Sequence, residues 1–268
     1  MGDIESLRFS KVERDSFAQN GYLIREGVFS PEECEQIAAD CEALTGSIEA
    51  EAKGNKETFG SYVFERDDRR TVIKWESDQP DLVHGVEFFV HLSEPLDKWS
   101  KDPRLVEPCK DVVGENEISL FTEKLNLKRK KKGGVVILHQ DYPYWTDVTP
   151  VADRAATAMI FVDAASRENG CLEVSPGSHL RNDYAKLSVE GFGRHEMDPE
   201  QFDMESLVPV EVPEGSVVFF GPFLVHRSLP NTSDHDRRAL LYSYQPAGHP
   251  HGRDIVYERL GAGKTQTG

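Results

Sequence analysis

Apolar positions recur at helical spacing in much of the first third of the chain, and the pattern changes after about residue 117. Ser10 with Glu13 forms a capping box ahead of a helix carrying Phe17, and Asn20-Gly21 supplies its stop. Ser30-Pro31-Glu32-Glu33 predicts a second helix, with an N-cap serine, proline at the first helical position and glutamate at the third. Between them Tyr22-Leu23-Ile24 reads as a short strand. Residues 81–114 read as mostly helical, with Leu96, Trp99, Leu105, Val106, Val112 and Val113 near helical spacing. Beyond 117, runs of β-branched and aromatic residues alternate with Gly, Pro, Asn and Asp clusters. They predict strands over 118–127, 134–140, 156–163, 171–174, 208–212, 216–220 and 238–245. So many short, turn-punctuated strands suggest a jelly roll. The polar segment 180–207, with Arg194-His195-Glu196, reads as a surface loop or lid.

A chain of 268 residues without a Ser/Gly/Pro-rich linker or internal repeat is expected to form one domain, helical over about 1–116 with a β core over about 117–248. A net charge of −16 opposes non-specific binding to nucleic acid or anionic membranes. Apolar runs such as 134–138 and 217–224 are too short to span a bilayer. MGDIESLRF lacks an apolar signal segment and GKTQTG carries no retrieval signal, so a cytoplasmic protein is expected. The cysteines at 34, 41, 109 and 171 form no CxxC pair, which disfavours a zinc or redox motif. Cys34 and Cys41 share a helical stripe with Ile37, Ala38 and Leu44 and read as core residues.

Candidate chemistry centres on His139-Gln140-Asp141. An HxD tripeptide is common by chance, but the apolar run 134–138 places this one at the end of a buried strand. There residues i and i+2 face the same way, so His139 and Asp141 share a site. His226 follows a second buried run, 215–225. Two imidazoles and a carboxylate on one face of a six-coordinate metal leave three positions open, the ligand set of a non-haem Fe(II) oxygenase. Arg237 opens the final predicted strand, and its guanidinium fork suits the carboxylate of an organic acid cosubstrate. Arg238, on the opposite face, is its rival.

At these residues the chain resembles the phytanoyl-CoA dioxygenase family, including its ectoine hydroxylase branch, over nearly its whole length. The resemblance rests on Asn20-Gly21-Tyr22-Leu23-Ile24 with Val28-Phe29-Ser30-Pro31-Glu32-Glu33, on Lys124-Leu125-Asn126, on Asn169 to His179, and on His226-Arg227-Ser228 with Asn231, Ser233 and Arg237. It implies a double-stranded β-helix, mostly β with N-terminal helices, in which His139, Asp141 and His226 hold Fe(II). It implies that Arg237, rather than Arg238, grips 2-oxoglutarate, with Asn126 and Thr157 at further cosubstrate positions. Val136 stands where ectoine hydroxylase has a phenylalanine, so that contact is expected to differ. Pro176 to His179 reads chiefly as a structural turn.

The implied reaction uses O2 and 2-oxoglutarate to oxidise a C–H bond of a small molecule, releasing succinate and CO2. Hydroxylation leads. Desaturation, epoxidation and ring formation share the same ligands, and Asp141 disfavours halogenation because related halogenases have a small residue there. Trp145 resembles a substrate-lining tryptophan, and Tyr142, Tyr144 and Lys74 (with Trp75) are further pocket candidates. The run Lys128-Arg129-Lys130-Lys131-Lys132 is either a solvated hairpin or an anion site at the mouth. Acyl-CoA thioesters, compatible solutes, amino acids, phosphonates and natural products all remain open as substrates. The competing readings are a cupin-like metalloprotein of another reaction type, an isomerase or a dioxygenase using no 2-oxoacid, and a non-catalytic binding module.

Overall fold

The computed structural model describes residues 4–51, 56–59, 62–66, 71–76, 78–79, 81–132, 134–181, 197, 200, 202–249 and 257–260, with only the backbone of 56–59 and 62–66. Arg194-His195-Glu196, and most of the expected loop or lid, lie outside these residues.

Helix α1 (Lys11–Asn20) starts at the predicted capping box, and Gly21 ends it in the left-handed conformation at φ 81°. Strand β1 (Tyr22–Arg25) follows, then α2 (Pro31–Glu51), whose Ser30 and Glu33 cap each other reciprocally. Next comes a four-stranded meander of β2 (Lys56–Phe59), β3 (Tyr62–Arg66), β4 (Val72–Trp75) and β5 (Val83–Glu87). Helices α3 (Glu94–Trp99) and α4 (Pro103–Val113) precede the long strand β6 (Ile118–Lys128).

The expectation of helix from residue 81 is therefore corrected at 83–87. Val83, His84, Gly85 and Val86 are all buried, so the strand has no alternating polar face to reveal it.

The remaining elements are β7 (Val136–His139), the single turn α5 (Tyr142–Trp145), β8 (Ala156–Phe161), β9 (Leu172–Val174), β10 (Val208–Val210), β11 (Ser216–Phe220), β12 (His226–Ser228), β13 (Arg237–Pro246) and β14 (Arg259–Leu260). They build two antiparallel sheets. The larger runs β1-β11-β8-β13-β6-β5-β4-β3-β2, with β14 also on β6, and the smaller runs β10-β9-β12-β7. The fold is a cupin-like jelly roll, mostly β with N-terminal helices. The N-terminal part also contributes five strands to the larger sheet.

Side-chain alternation divides the larger sheet into two working faces. On one face Leu125, Leu127, Ile160, Phe219, Leu240 and Tyr242 join Ile37, Cys41, Leu96 and Leu105 from the helices in the main hydrophobic core. The other face looks into the barrel, where Met159, Phe161, Val218, Phe220 and Ala239 pack against Leu172 and Val174 of the smaller sheet. All four cysteines are free and buried, as core residues should be. Among the described residues no helix is long and apolar enough to cross a membrane.

Candidate active site

His139 ends β7 and His226 begins β12, and the two are direct partners in the antiparallel ladder of the smaller sheet. Their ring centroids lie 4.2 Å apart. Asp141 follows two residues after His139, and its Oδ1 is 3.7 Å from His139 Nε2. One ligand atom from each of the three residues falls within 4.8 Å of the other two. That spacing fits a single metal ion.

Both imidazoles are held the same way. His139 Nδ1 donates to the Ile137 carbonyl (2.7 Å) and His226 Nδ1 to the Leu224 carbonyl (2.9 Å). A carbonyl can only accept, so each Nδ1 carries the proton and each Nε2 lone pair is left for a metal. Gln140 Nε2 donates to the Phe223 carbonyl (2.6 Å) and Tyr142 N to that of Pro222 (2.9 Å), tying the β7 end to the turn before His226. Electrostatics favour the ligating forms. Burial and the neighbouring His139 lower the His226 pKa to about 4, which keeps the ring neutral. Burial alone would raise the Asp141 carboxyl, but the neighbouring His139, Lys124 and His226 carry it well below its usual range.

The strand faces separate the two arginines. Arg238 points out of the barrel, where Nε and Nη2 grip Asp163 at 2.8 and 2.6 Å and Nη1 reaches Glu42 at 3.4 Å. Arg237 points inward and is only 1 % exposed. Its Nη2 donates to the Gly170 carbonyl (3.0 Å), while Nε and Nη1 are buried with no hydrogen-bond partner among the described residues. Burial, the largest influence, lowers its pKa to about 10, so it remains a cation. Enclosing such a charge without a counter-ion costs several kcal/mol, on the order of what a bound carboxylate restores. Two orphaned donors on one fork fit the tail of a dicarboxylate.

Register places the other predicted residues. Asn126 stands opposite Ala239 on β13, and Thr157 opposite Ser243, whose hydroxyl it meets at 2.8 Å. Both face the barrel interior with Arg237. Among the described residues the Asn126 carboxamide makes no hydrogen bond, and a Cβ on Gly85 would lie 3.8 Å from its Oδ1.

The pocket candidates divide. Tyr144 is 37 % exposed and meets the His139 ring edge-on at 5.7 Å. Tyr142 packs on Phe223 at 4.4 Å, and Trp145 is buried edge-on to Phe121 at 5.3 Å with Ala152 and Ala155. Those contacts of Tyr142 and Trp145 are packing contacts. Lys74 Nζ is 2.5 Å from Glu87 Oε1 on the sheet face that also carries Asn126. His179 is structural, as expected. Its Nε2 approaches the Ala18 carbonyl at 3.2 Å, and its Nδ1 occupies the space a side chain on Gly21 would need.

Lys124 faces the same barrel interior, a position the sequence did not single out. It lies opposite Glu87 on β5 and Leu241 on β13, on the barrel face of β6. Burial works against its charge, but Glu87 and Asp141 raise its pKa, and it makes no hydrogen bond or ion pair among the described residues. The signal available was its i−2 relation to Asn126 on one strand face.

Most of the basic run is paired or buried. Lys128 is buried, Arg129 pairs with Glu42 and Asp236, Lys131 with Asp234 and Lys132 with Asp78.

Comparison with known proteins agrees with this geometry. The pattern of the phytanoyl-CoA dioxygenase (PhyH) family matches residues 17–239. Phytanoyl-CoA dioxygenase domain-containing protein 1 of Danio rerio is 27 % identical over 261 residues, covering 84 % of this chain and 86 % of that protein. A probable alpha-ketoglutarate-dependent hypophosphite dioxygenase of Stutzerimonas stutzeri is 30 % identical over 245 residues, covering 89 % and 79 %. Among solved structures, EctD from S. alaskensis with 2-oxoglutarate and 5-hydroxyectoine superposes with a TM-score of 0.68 at 20 % identity, covering 92 % of this chain and 78 % of that one. The chain belongs to the phytanoyl-CoA dioxygenase family.

Proposed function

We propose that the protein is an Fe(II)- and 2-oxoglutarate-dependent dioxygenase that hydroxylates a C–H bond of a small molecule. The observation that carries this is Arg237: a buried guanidinium with two unpartnered donors in the same barrel as a three-residue metal site. A cupin-like isomerase, or an oxygenase that uses no 2-oxoacid, would leave that costly charge without a purpose. The similarity to the probable alpha-ketoglutarate-dependent hypophosphite dioxygenase of Stutzerimonas stutzeri supports the same class. Because β1 and β13 join one sheet, we read the chain as a single catalytic domain. The acidic balance supports a cytoplasmic enzyme acting on metabolites rather than nucleic acid.

The roles follow from position. His139, Asp141 and His226 hold the iron, which when bound supplies O2 activation at its open coordination positions. Arg237 receives the distal carboxylate of 2-oxoglutarate, and Asn126, Thr157 and Ser243 offer polar contacts along the same wall. Lys124 stands opposite Glu87 and feels the charge of Asp141, with its ammonium unengaged among the described residues, and it orients a substrate through an anionic group. Tyr144 edges the metal site, and Lys74 with Glu87 extends the wall. A substrate with a carboxylate, phosphonate or related oxyanion fits this lining.

The test is a succinate-release screen with Fe(II)-loaded protein across carboxylates, phosphonates and neutral analogues. Stimulation by oxyanionic compounds is expected. Stimulation by neutral compounds alone would overturn the substrate class while leaving the reaction class standing.

A further inference from the structure

Lys128 is the buried member of the basic run, at 2 % exposure, and it stands directly opposite Arg237 in the ladder between β6 and β13. Directly opposed residues bring their Cβ atoms to about 5 Å. Lys128 Nζ donates to the Gly134 carbonyl (2.6 Å) and the Leu229 carbonyl (2.7 Å). Arg237 donates to the carbonyl of Gly170, and Gly170 is wedged between them: a Cβ there would lie 2.3 Å from the Leu229 oxygen and 3.1 Å from Lys128 Cδ. The two basic groups are therefore locked around one turn.

Three titratable groups face Lys128 among the described residues, and none of them bonds it. They are Arg237 from β13, which repels it, Glu76 beyond β4, which is engaged by His84 at 3.2 Å, and the thiol of Cys171 before β9. The two hydrogen bonds of Lys128 go to backbone carbonyls, which accept from an amine or an ammonium alike. An ammonium there adds a second buried cation directly opposite the Arg237 guanidinium, with no carboxylate bonded to either among the described residues. Burial first, and Arg237 second, lower the Lys128 pKa to about 7.

We propose that Lys128 is the proton-linked partner of Arg237: it rests as a neutral amine and becomes an ammonium when the distal carboxylate of 2-oxoglutarate arrives. This rests on the cosubstrate reading above. No bond changes other than one proton taken from solvent by Nζ. The protein thereby avoids enclosing two bare cations, yet presents two to the bound dianion.

Anaerobic calorimetry of 2-oxoglutarate into Fe(II)-loaded protein, run in pairs of buffers with different ionisation enthalpies, reads the proton count directly. The wild type is expected to take up about 0.9 proton at pH 8 and about 0.1 at pH 6, as a pKa near 7 requires. Lys128→Arg, charged at both pH values, keeps the cation and gives the baseline without that uptake. Binding with no uptake at pH 8, or uptake that persists in K128R, overturns the role of Lys128 and leaves the cosubstrate site intact. Absence of 2-oxoglutarate binding by the wild type overturns the cosubstrate reading itself. Should K128R fail to fold, the pH dependence of the wild-type uptake still decides the matter.

Discussion

His226 faces His139 across the smaller sheet as its ladder partner, and each ring fixes its tautomer on the carbonyl two residues before it. Two strand ends far apart in sequence thereby present matched Nε2 atoms beside Asp141. The site is a property of the sheet register, not of any loop.

Removal of either histidine should accordingly abolish the metal site while sparing the fold. Loss of an outer-shell partner typically weakens metal binding by about 10–100-fold, and loss of a ligand exceeds that. Fe(II) titration of His139→Ala and His226→Ala, with circular dichroism as the fold control, checks this. Retention of wild-type metal affinity in either variant would refute the assignment.

The two neighbouring arginines predict opposite phenotypes. Arg237→Ala should weaken 2-oxoglutarate binding by about 2–5 kcal/mol, the usual loss on truncating one side of a buried charge pair. Arg238→Ala breaks a partly exposed pair with Asp163 and should cost about 1 kcal/mol of stability or less, with cosubstrate affinity nearly unchanged. Calorimetry and thermal melts separate the two, and a larger cosubstrate defect in Arg238→Ala reverses the assignment.

Glu123 makes stability depend on pH. It accepts bonds from Val90 N (3.1 Å) and Tyr257 Oη (3.0 Å), and burial, the dominant influence, raises its carboxyl from 4.5 to about 7. Between those values the folded chain keeps a proton that the unfolded chain has released. Stability contributed by this group therefore falls as pH rises through that window and is level above it. Glu123→Gln should melt higher than the wild type at pH 8, by a gain on the order of a few kcal/mol at most, with the gap closing toward pH 5. A gap that is constant with pH would contradict this.

Gly21 and Gly46 offer a paired stability test. Gly21 combines φ 81° with a would-be Cβ 2.4 Å from His179 Nδ1, whereas Gly46, inside α2, meets nothing within 4 Å. Gly21→Ala should destabilise by about 1–3 kcal/mol, and Gly46→Ala should stabilise by up to about 1 kcal/mol. Thermal melts showing equal shifts would contradict the packing described at the end of α1.

The residues that sequence revealed best are those whose chemistry is tied to strand ends. Apolar runs before His139 and His226 announced both strands, although only Leu138 of the run 134–138 is buried and Val135 is exposed. Asp141 comes beside His139 not by the expected strand alternation but because β7 ends at His139 and the chain turns into α5 with helical backbone at Asp141. Capping pairs at Ser10/Glu13 and Ser30/Glu33 announced α1 and α2 because those contacts are local. What stayed hidden depended on long-range pairing. Strand β5 is buried on both faces and lacks a period, so 83–87 read as helix. The different surroundings of Arg237 and Arg238 depend on the partners on each face of β13, Gly170 on one and Asp163 on the other. Lys128 belonged by composition to an exposed basic run, and only its register opposite Arg237 shows it buried.

The central claim is that this barrel consumes 2-oxoglutarate at a His139/Asp141/His226 iron site. Its most direct measurement is succinate formation by the purified, Fe(II)-loaded protein supplied with 2-oxoglutarate and O2. The predicted result is succinate formed slowly alone and faster with substrate, requiring iron and O2 and lost in His139→Ala. If the iron-loaded protein neither binds 2-oxoglutarate under anaerobic conditions nor forms succinate in air, the account is wrong.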